Sequence, residues 1–275
     1  MRPELQNRID GLARDRESGA SEILQEALAI LRDAAADPSD VADVAHALCL
    51  AQPSMGSMWN AARAALAGRE SLTRFCARVA RAPAAVHRFA RELFNTVPLD
   101  RPLRVVTISY SRTVLDVLVA VAGTRAVHVT CSEGRPALEG RTLATRLAES
   151  GAGVAMFADA AIGHALSDAD AAVVGADAVA PEFFVNKSGT RMLAAAATLQ
   201  GVPLYVLASR DKFVNRETAA RLQLREGPAA EVWDAAPPRI QVRNPYFEAT
   251  PLDLVAGIVT DVGVLGPADV PRVAV

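Results

Sequence analysis

Two short strings carry the residue types and spacings that could do chemistry in this chain. Gly175-Ala176-Asp177 follows the apolar run Ala171-Ala172-Val173-Val174, and Asn186-Lys187-Ser188-Gly189-Thr190 comes nine residues later. The apolar run reads as a buried parallel strand. Arg191-Met192-Leu193-Ala194-Ala195-Ala196-Ala197 is a strong helix former. A carboxylate is therefore expected at the carboxyl end of a strand, and a lysine just ahead of a helix start. In an open α/β sheet that edge is where ligands bind. A helix start preceded by Gly, Ser and Lys also favours anions, through free N–H groups and the macrodipole. The pair reads as an acid/base group plus a phosphate holder. On a small-residue turn Asp177 would be partly desolvated and its pKa raised; an aspartate that merely caps the turn is the plainer alternative.

Other polar groups fall at comparable places. Ser109-Tyr110-Ser111-Arg112-Thr113 closes one strand candidate and opens a helix. Its hydroxyls and N–H groups could hold a phosphate with Arg112 as a bidentate partner, and a serine N-cap with a solvated arginine fits equally. Glu133-Gly134-Arg135-Pro136 combines a tight turn with proline at a helix's first position. That directs Arg135 toward the cleft mouth, although a loop ion pair between Glu133 and Arg135 is the commoner use of such residues. Lys187 and Lys212 would meet phosphate oxygens as point charges, whereas either alone reads as a solvated lysine. His46, His87, His128 and His164 have no spacing suited to a metal or a triad. Met58 and Trp59 read as helical core. Gly151-Ala152-Gly153 lacks a third glycine and precedes a strand, so it is no dinucleotide fingerprint, and no Walker A string exists. Neither a cofactor nor a metal is expected.

The elements that must position these groups divide the chain in two. Residues 1–97 read as helices, with Leu24, Leu28 and Leu31, then Phe75 and Val79, then Val86, Phe89 and Leu93 at helical spacing. Asp37-Pro38-Ser39-Asp40 is a turn with a built-in helix start, and Pro53 and Pro83 mark further breaks or kinks. Pro98-Leu99-Asp100-Arg101-Pro102 is the expected linker. Residues 98–275 alternate strands with helices. The strand candidates are 103–108, 126–130, 154–157, 171–174 and 204–207, with helices starting near Ser111, Pro136, Ala160 and Gly189. That alternation predicts an α/β fold: a helical domain, then a doubly wound, mostly parallel sheet. Further on, Arg239-Ile240-Gln241-Val242 reads as a strand and 251–256 as a short helix. The conspicuous polar residues follow the strands, which is where an open sheet places its site.

Composition excludes several classes. The chain is 51% hydrophobic and 22% charged, an ordinary globular balance. A net charge of −2 gives no electrostatic case for nucleic acid or an anionic membrane as partner. No apolar run approaches the roughly 20 residues needed to span a bilayer, and the start lacks a signal-peptide h-region. Three scattered cysteines build neither a disulfide framework nor a zinc site. A cytoplasmic protein is expected.

Taken in order, five strings are familiar. They are Val106–Leu115, Glu133-Gly134-Arg135-Pro136 with Gly140, Val174–Asp177, Asn186–Thr190, and Asn244-Pro245-Tyr246-Phe247-Glu248 with Thr250-Pro251. Through them the chain resembles the superfamily of the alpha, beta and delta regulatory subunits of translation initiation factor 2B. Ribose-1,5-bisphosphate isomerase and methylthioribose-1-phosphate isomerase belong to the same superfamily. The likeness is strong over residues 100–265 and weak in the helical part, at Ser18-Gly19-Ala20-Ser21, Pro53 and Asn60. It implies a helical domain on a Rossmann-like domain with the ligand between them, and a homodimer, or assembly with related subunits, through the C-terminal domain. In the isomerases a cysteine after the first strand and the aspartate of Gly-Ala-Asp interconvert an aldose 1-phosphate and a ketose. Asp177 matches that aspartate, and Ser109 stands at the cysteine's place, where a hydroxyl is a far poorer acid or base. Ser111, Arg112, Thr113, Asn186, Lys187 and Lys212 match phosphate or substrate contacts, and Gly19, Gln52 and Arg135 join the ligand set. Ser18 and Gln52 stand where the bisphosphate isomerase has phosphate-binding arginines, which weakens a second phosphate site. Tyr110-Ser111-Arg112 is closest in wording to the alpha subunit, which lacks the cysteine and is associated with sugar-phosphate or nucleotide binding. Cys131 is a candidate substitute thiol, with a buried structural cysteine as the alternative. The resemblance thus implies a phosphorylated small-molecule ligand, with aldose-1-phosphate isomerisation on Asp177 and Ser109 or a non-catalytic regulatory subunit as the competing roles.

Overall fold

The computed structural model describes residues 1–15 and 19–273. Its first part is five helices: α1 (Pro3–Arg14), α2 (Ala20–Ala34), α3 (Pro38–Ala51), α4 (Gly56–Leu66) and α5 (Arg69–Phe94). The Asp37 side chain caps α3 by accepting the Ser39 N–H at 3.0 Å, the role expected of an aspartate ahead of Pro38. Pro53 lies between α3 and α4, but Pro83 does not break α5, which runs through it. Proline removes one helical N–H, and the buried face on both sides (Val79 and Ala82 before, Val86 and Ala90 after) holds the helix across the gap.

The sheet part follows as β1 (Leu103–Thr107), α6 (Arg112–Ala122), β2 (Val127–Ser132), α7 (Glu139–Glu149), β3 (Gly153–Phe157), β4 (Ala171–Gly175), β5 (Ala178–Val179), β6 (Phe183–Lys187), α8 (Thr190–Gln200), β7 (Leu204–Leu207), α9 (Arg216–Ala219), α10 (Ala230–Trp233), β8 (Phe247–Pro251), β9 (Gly257–Thr260), β10 (Gly263–Leu265) and α11 (Val270–Val273). Seven strands form one sheet in the order β10-β9-β7-β4-β1-β2-β3, parallel except for the antiparallel edge strand β10. Alternate strand residues feed opposite cores, as the pleat requires. Val105, Val129, Ala171 and Val173 pack with α5, α6 and α7 on one face. Val106, Ala172, Val174 and Val206 pack with α8 on the other. Covering both faces is what makes a parallel sheet with near-continuous apolar strands stable. The helical core and the sheet core meet within α5: Leu72, Phe75 and Val79 belong to the first, Val86, Ala90 and Phe94 to the second.

The chain runs outward from β1 through β2 to β3, then returns to β4 on β1's other side and continues to β7 and β9. The order therefore reverses between β1 and β4, whose register sets Val106 against Ala172. Their carboxyl ends open side by side, the geometry in which doubly wound sheets hold ligands.

Several expectations are corrected. The helix expected near Ala160 is a 3₁₀ segment, Asp159–Asp168, and the one expected over 251–256 is a single 3₁₀ turn, Leu252–Leu254. Pro136 is not at a helix's first position, because turn residues intervene before α7 begins at Glu139. Residues 239–242 form no strand, and Ile240 stays exposed with nothing to pack against. The strand lies instead at β8, in a second, three-stranded sheet ordered β5-β6-β8. Lys187 ends β6 and, as expected, lies just ahead of the start of α8 at Thr190.

Gly140 tests the tightness of this packing. A Cβ there would lie 1.9 Å from the Ser132 carbonyl oxygen and 3.0 Å from Glu133 backbone atoms. Gly140→Ala is expected to destabilise the protein by about 3 kcal/mol, the upper range for overpacking. A urea unfolding midpoint equal to that of the wild type would contradict this seating of α7 on β2.

Candidate functional site

Ser109 and Asp177 each follow one of the two switch-point strands, two residues beyond β1 and β4. Ser109 has φ 63°, a left-handed conformation costly for a residue with a Cβ. It turns the chain so that its Oγ donates to Glu139 Oε1 at 2.9 Å. Ser111 accepts the Val114 N–H at 3.4 Å as the N-cap of α6, so the capping alternative for that serine is realised. The two strands approach so closely that a Cβ on Gly175 would lie 2.5 Å from Ser111 Oγ. Only glycine fits there.

Above these strand ends lies a cavity of about 170 Å³. Its wall includes Ser109, Ser111, Arg112, Thr113 and Asp177 from the sheet edge, Asn186 and Lys187 from β6, and Lys212 from the loop after β7. Gly19 and Gln52 close it from the helical side. Lys187 forms an ion pair with Glu139 at 2.7 Å, its side chain 9% exposed, and its ammonium lies 4.8 Å from the Tyr246 ring centroid. Lys212, also buried, donates to the Ala176 carbonyl at 2.7 Å. Asn186 is held by a 2.9 Å bond to Thr190 Oγ1, and Gln52 donates to the Leu12 carbonyl at 2.7 Å.

The helical layer fixes both site loops through backbone. The Gly56 N–H of α4 donates to the Asp177 carbonyl at 2.9 Å. Asn60 Nδ2, four residues along the same helix, donates to the Asp211 and Phe213 carbonyls, each at 2.7 Å. Burial raises the pKa of Asp177 from its ordinary value, and the nearby Lys212 charge only partly opposes this. Asp211 is raised for the same reason, with Lys212 again opposing. Desolvation of this kind favours the neutral carboxyl.

Other candidates are committed elsewhere. The helix start after Lys187, expected to hold an anion, already has one: Glu248 Oε1 accepts the Gly189 N–H at 2.7 Å and the Arg191 N–H at 2.9 Å. Arg112 bonds Asp116 at 2.7 Å and lies 3.9 Å from Glu22. Arg135 is exposed and does not line the cavity; its backbone N–H donates to Asp159 at 2.7 Å. Glu133 pairs at 3.4 Å with Arg141 instead. Cys131 is fully buried, lies outside the cavity wall, and has its thiol pushed up to about 12 by burial, so it cannot replace a missing active-site thiol. Ser18 lies outside the described residues. Sequence reasoning passed over Glu139, whose acidic type at a helix start signals only a favourable dipole contact. A larger hollow, about 470 Å³, lies over β2 and β3 beside His128 and His164, but it gathers none of the predicted residues. No His, Cys, Asp or Glu cluster suited to a metal occurs among the described residues, and none of their helices is long and apolar enough to cross a membrane.

A family model described as the Initiation factor 2 subunit family matches residues 14–267, so the chain belongs to that family. It is 34% identical over 165 residues to a translation initiation factor eIF-2B subunit 2-like protein of Pyrococcus furiosus, covering 59% of this chain and 58% of that one. It is 35% identical over 148 residues to ribose 1,5-bisphosphate isomerase of Archaeoglobus fulgidus, covering 51% of this chain and 46% of that one. The chain thus spans about half the length of the curated relatives it matches. Among solved structures, translation initiation factor eIF-2B of Pyrococcus horikoshii OT3 superposes with a TM-score of 0.84 at 24% identity, over 100% of both chains. That likeness is one of fold.

The raised Asp177 has a consequence for stability. A carboxyl lifted by burial holds its proton more tightly in the folded state, so stability falls as pH climbs from the ordinary aspartate range through the raised value. Asp177→Asn removes that loss. The variant is expected to melt above the wild type near pH 7, with the gap closing as pH drops toward about 4. A melting temperature below that of the wild type at neutral pH would show that the ionised carboxylate stabilises the fold.

Proposed function

We propose that this member of the family binds a phosphorylated sugar or a nucleoside monophosphate in the cleft between its helical and sheet parts. The single observation that supports this most is the convergence of Lys212, the start of α6 and Asp177 on one cavity. A buried ammonium and the start of an eleven-residue helix, where Ser111 caps only the Val114 N–H, both favour a phosphate. Asp177 would hydrogen-bond sugar hydroxyls, and a carboxyl that stays neutral can donate as well as accept. In this reading residues 1–97 form the helical domain and 98–275 the ligand-binding and dimerisation domain of a cytoplasmic homodimer.

A second reading, aldose-1-phosphate isomerisation, draws on the isomerase relative and on Asp177. It is weakened by Ser109, whose hydroxyl is bonded to Glu139 and offers no thiolate. A third draws on the initiation-factor relatives: a regulatory subunit of a guanine-nucleotide exchange assembly, pairing with related subunits and needing no turnover.

A thermal-shift screen of ribose phosphates, methylthioribose 1-phosphate and nucleoside monophosphates separates these roles. The binding reading expects stabilisation by at least one of them. It also expects an affinity loss of about tenfold or more in Lys212→Ala, as for a charge-assisted phosphate contact. Turnover abolished by Asp177→Asn establishes the isomerase instead. A silent screen, alongside a stable complex with an initiation-factor subunit, refutes the small-molecule reading.

A further inference from the structure

Three cationic side chains line the cleft among the described residues: Arg112, Lys187 and Lys212. Two are already neutralised. Arg112 is held by Asp116, and Lys187 by Glu139 at 2.7 Å. Lys212 donates to the Ala176 carbonyl oxygen and has no ion pair among the described residues, its neighbouring carboxyls Asp177 and Asp211 both being raised by burial. Among the described residues, one cation without an ion-pair partner suits one phosphoryl group.

The Lys187 end has the opposite character. Glu139 Oε1 accepts from both Lys187 Nζ and Ser109 Oγ, and its Oε2 is buried with no hydrogen-bond partner. Oε2 faces the Gly134 turn, so the atom presented beside Lys187 is Oε1, and an ionised carboxylate can only accept. A sugar hydroxyl suits this pair, accepting from the lysine while donating to the carboxylate. A phosphate dianion has no proton to give and would bring like charge against Glu139. A phosphate would have to displace Glu139 from Lys187, leaving a partly buried carboxylate unpaired, and such costs are what make a polar site discriminate.

We propose that Glu139 restricts the cleft to ligands with a single phosphoryl group, reserving the Lys187 end for sugar hydroxyls. The proposal rests on the cleft binding a phosphorylated sugar or nucleotide, and it makes Glu139 the residue that turns away a bisphosphate.

Calorimetric titration of the full chain at fixed ionic strength tests it, with ribose 1-phosphate, ribose 5-phosphate, AMP and ribose 1,5-bisphosphate as probes. At least one monophosphate is expected to bind about tenfold or more tightly than the bisphosphate. Glu139→Gln, which keeps the shape and removes the charge, is expected to shrink that preference by gaining affinity for the bisphosphate. Its melting curve, recorded beside the wild type's, shows that the fold is retained; where it is not, the wild-type preference decides alone. A wild type that binds the bisphosphate as tightly as the monophosphates overturns the single-phosphate limit and leaves the cleft reading standing. A folded Glu139→Gln with unchanged preference overturns the assignment to Glu139. Binding of none of the probes sinks both the limit and the reading beneath it.

Discussion

The parallel pairing of β1 with β4 is the constraint on which the site depends. Each strand leads into a polar turn, and the two turns share a cleft only because the chain changes direction between these neighbours. The approach is close enough that Gly175 has no room for a side chain beside Ser111. A slip of one residue in this pairing would turn Val105 and Val106 to each other's faces and exchange their partners in the two cores. The core thus fixes the register, and the register fixes the site. Helix α4 adds a second restraint by bonding the backbone of the Asp177 turn and of the loop after β7. Both loops are held without using a side chain that a ligand would need.

Charge inside the cleft is organised by the same close packing. Removing an ammonium and a carboxylate from water is costly, and pairing repays it only where hydrogen bonds complete the environment. The pair meets this condition in part: Lys187 has Glu139 as a counter-charge and the Tyr246 ring nearby, while Glu139 Oε2 stays without a hydrogen-bond partner. Asp177 is treated differently, partly buried with no hydrogen bond to its carboxylate among the described residues and only the Lys212 charge opposing its upward shift. One carboxylate is fixed in an ion pair and the other is biased toward its neutral form. Two acids in one small cleft therefore offer a ligand different things, a fixed acceptor at Glu139 and a donor or acceptor at Asp177.

Much of this was legible in the chain because the signals are local. The run 204–207 coincides with β7, and 171–174 falls one residue short of β4. Apolar strands bounded by small polar turns announce themselves wherever both faces are buried. The failures come from partners distant in sequence. Strand β6 exists because β8, with Asn186 set against Glu248, pairs with it, and neither segment alternates strongly enough to be read alone. The same distance hid the capping of α8, since Glu248 reaches its N–H groups across 59 and 57 residues. Arg239–Val242 alternates as a strand should and forms none, because no partner offers it a buried face. Arg135 looked like a cleft residue by its position after β2, yet the turn before α7 directs it outward. Glu139 was missed for the converse reason: its ordinary local role concealed a partner, Lys187, that only the second sheet brings near.

The second sheet also gives the serine after β1 its surroundings. Here the left-handed backbone at Ser109 turns its hydroxyl onto Glu139 Oε1, where it adds a hydrogen bond to an ion pair. A hydroxyl that already donates to a carboxylate is well placed to hold that carboxylate still and poorly placed to lend a proton to a sugar. The Cys131 thiol near the sheet edge faces the α6–α7 core and has no route to the cleft. Geometry and acidity at Ser109 are thus consistent with the proposed binding role, since its hydroxyl is committed to holding Glu139 in place.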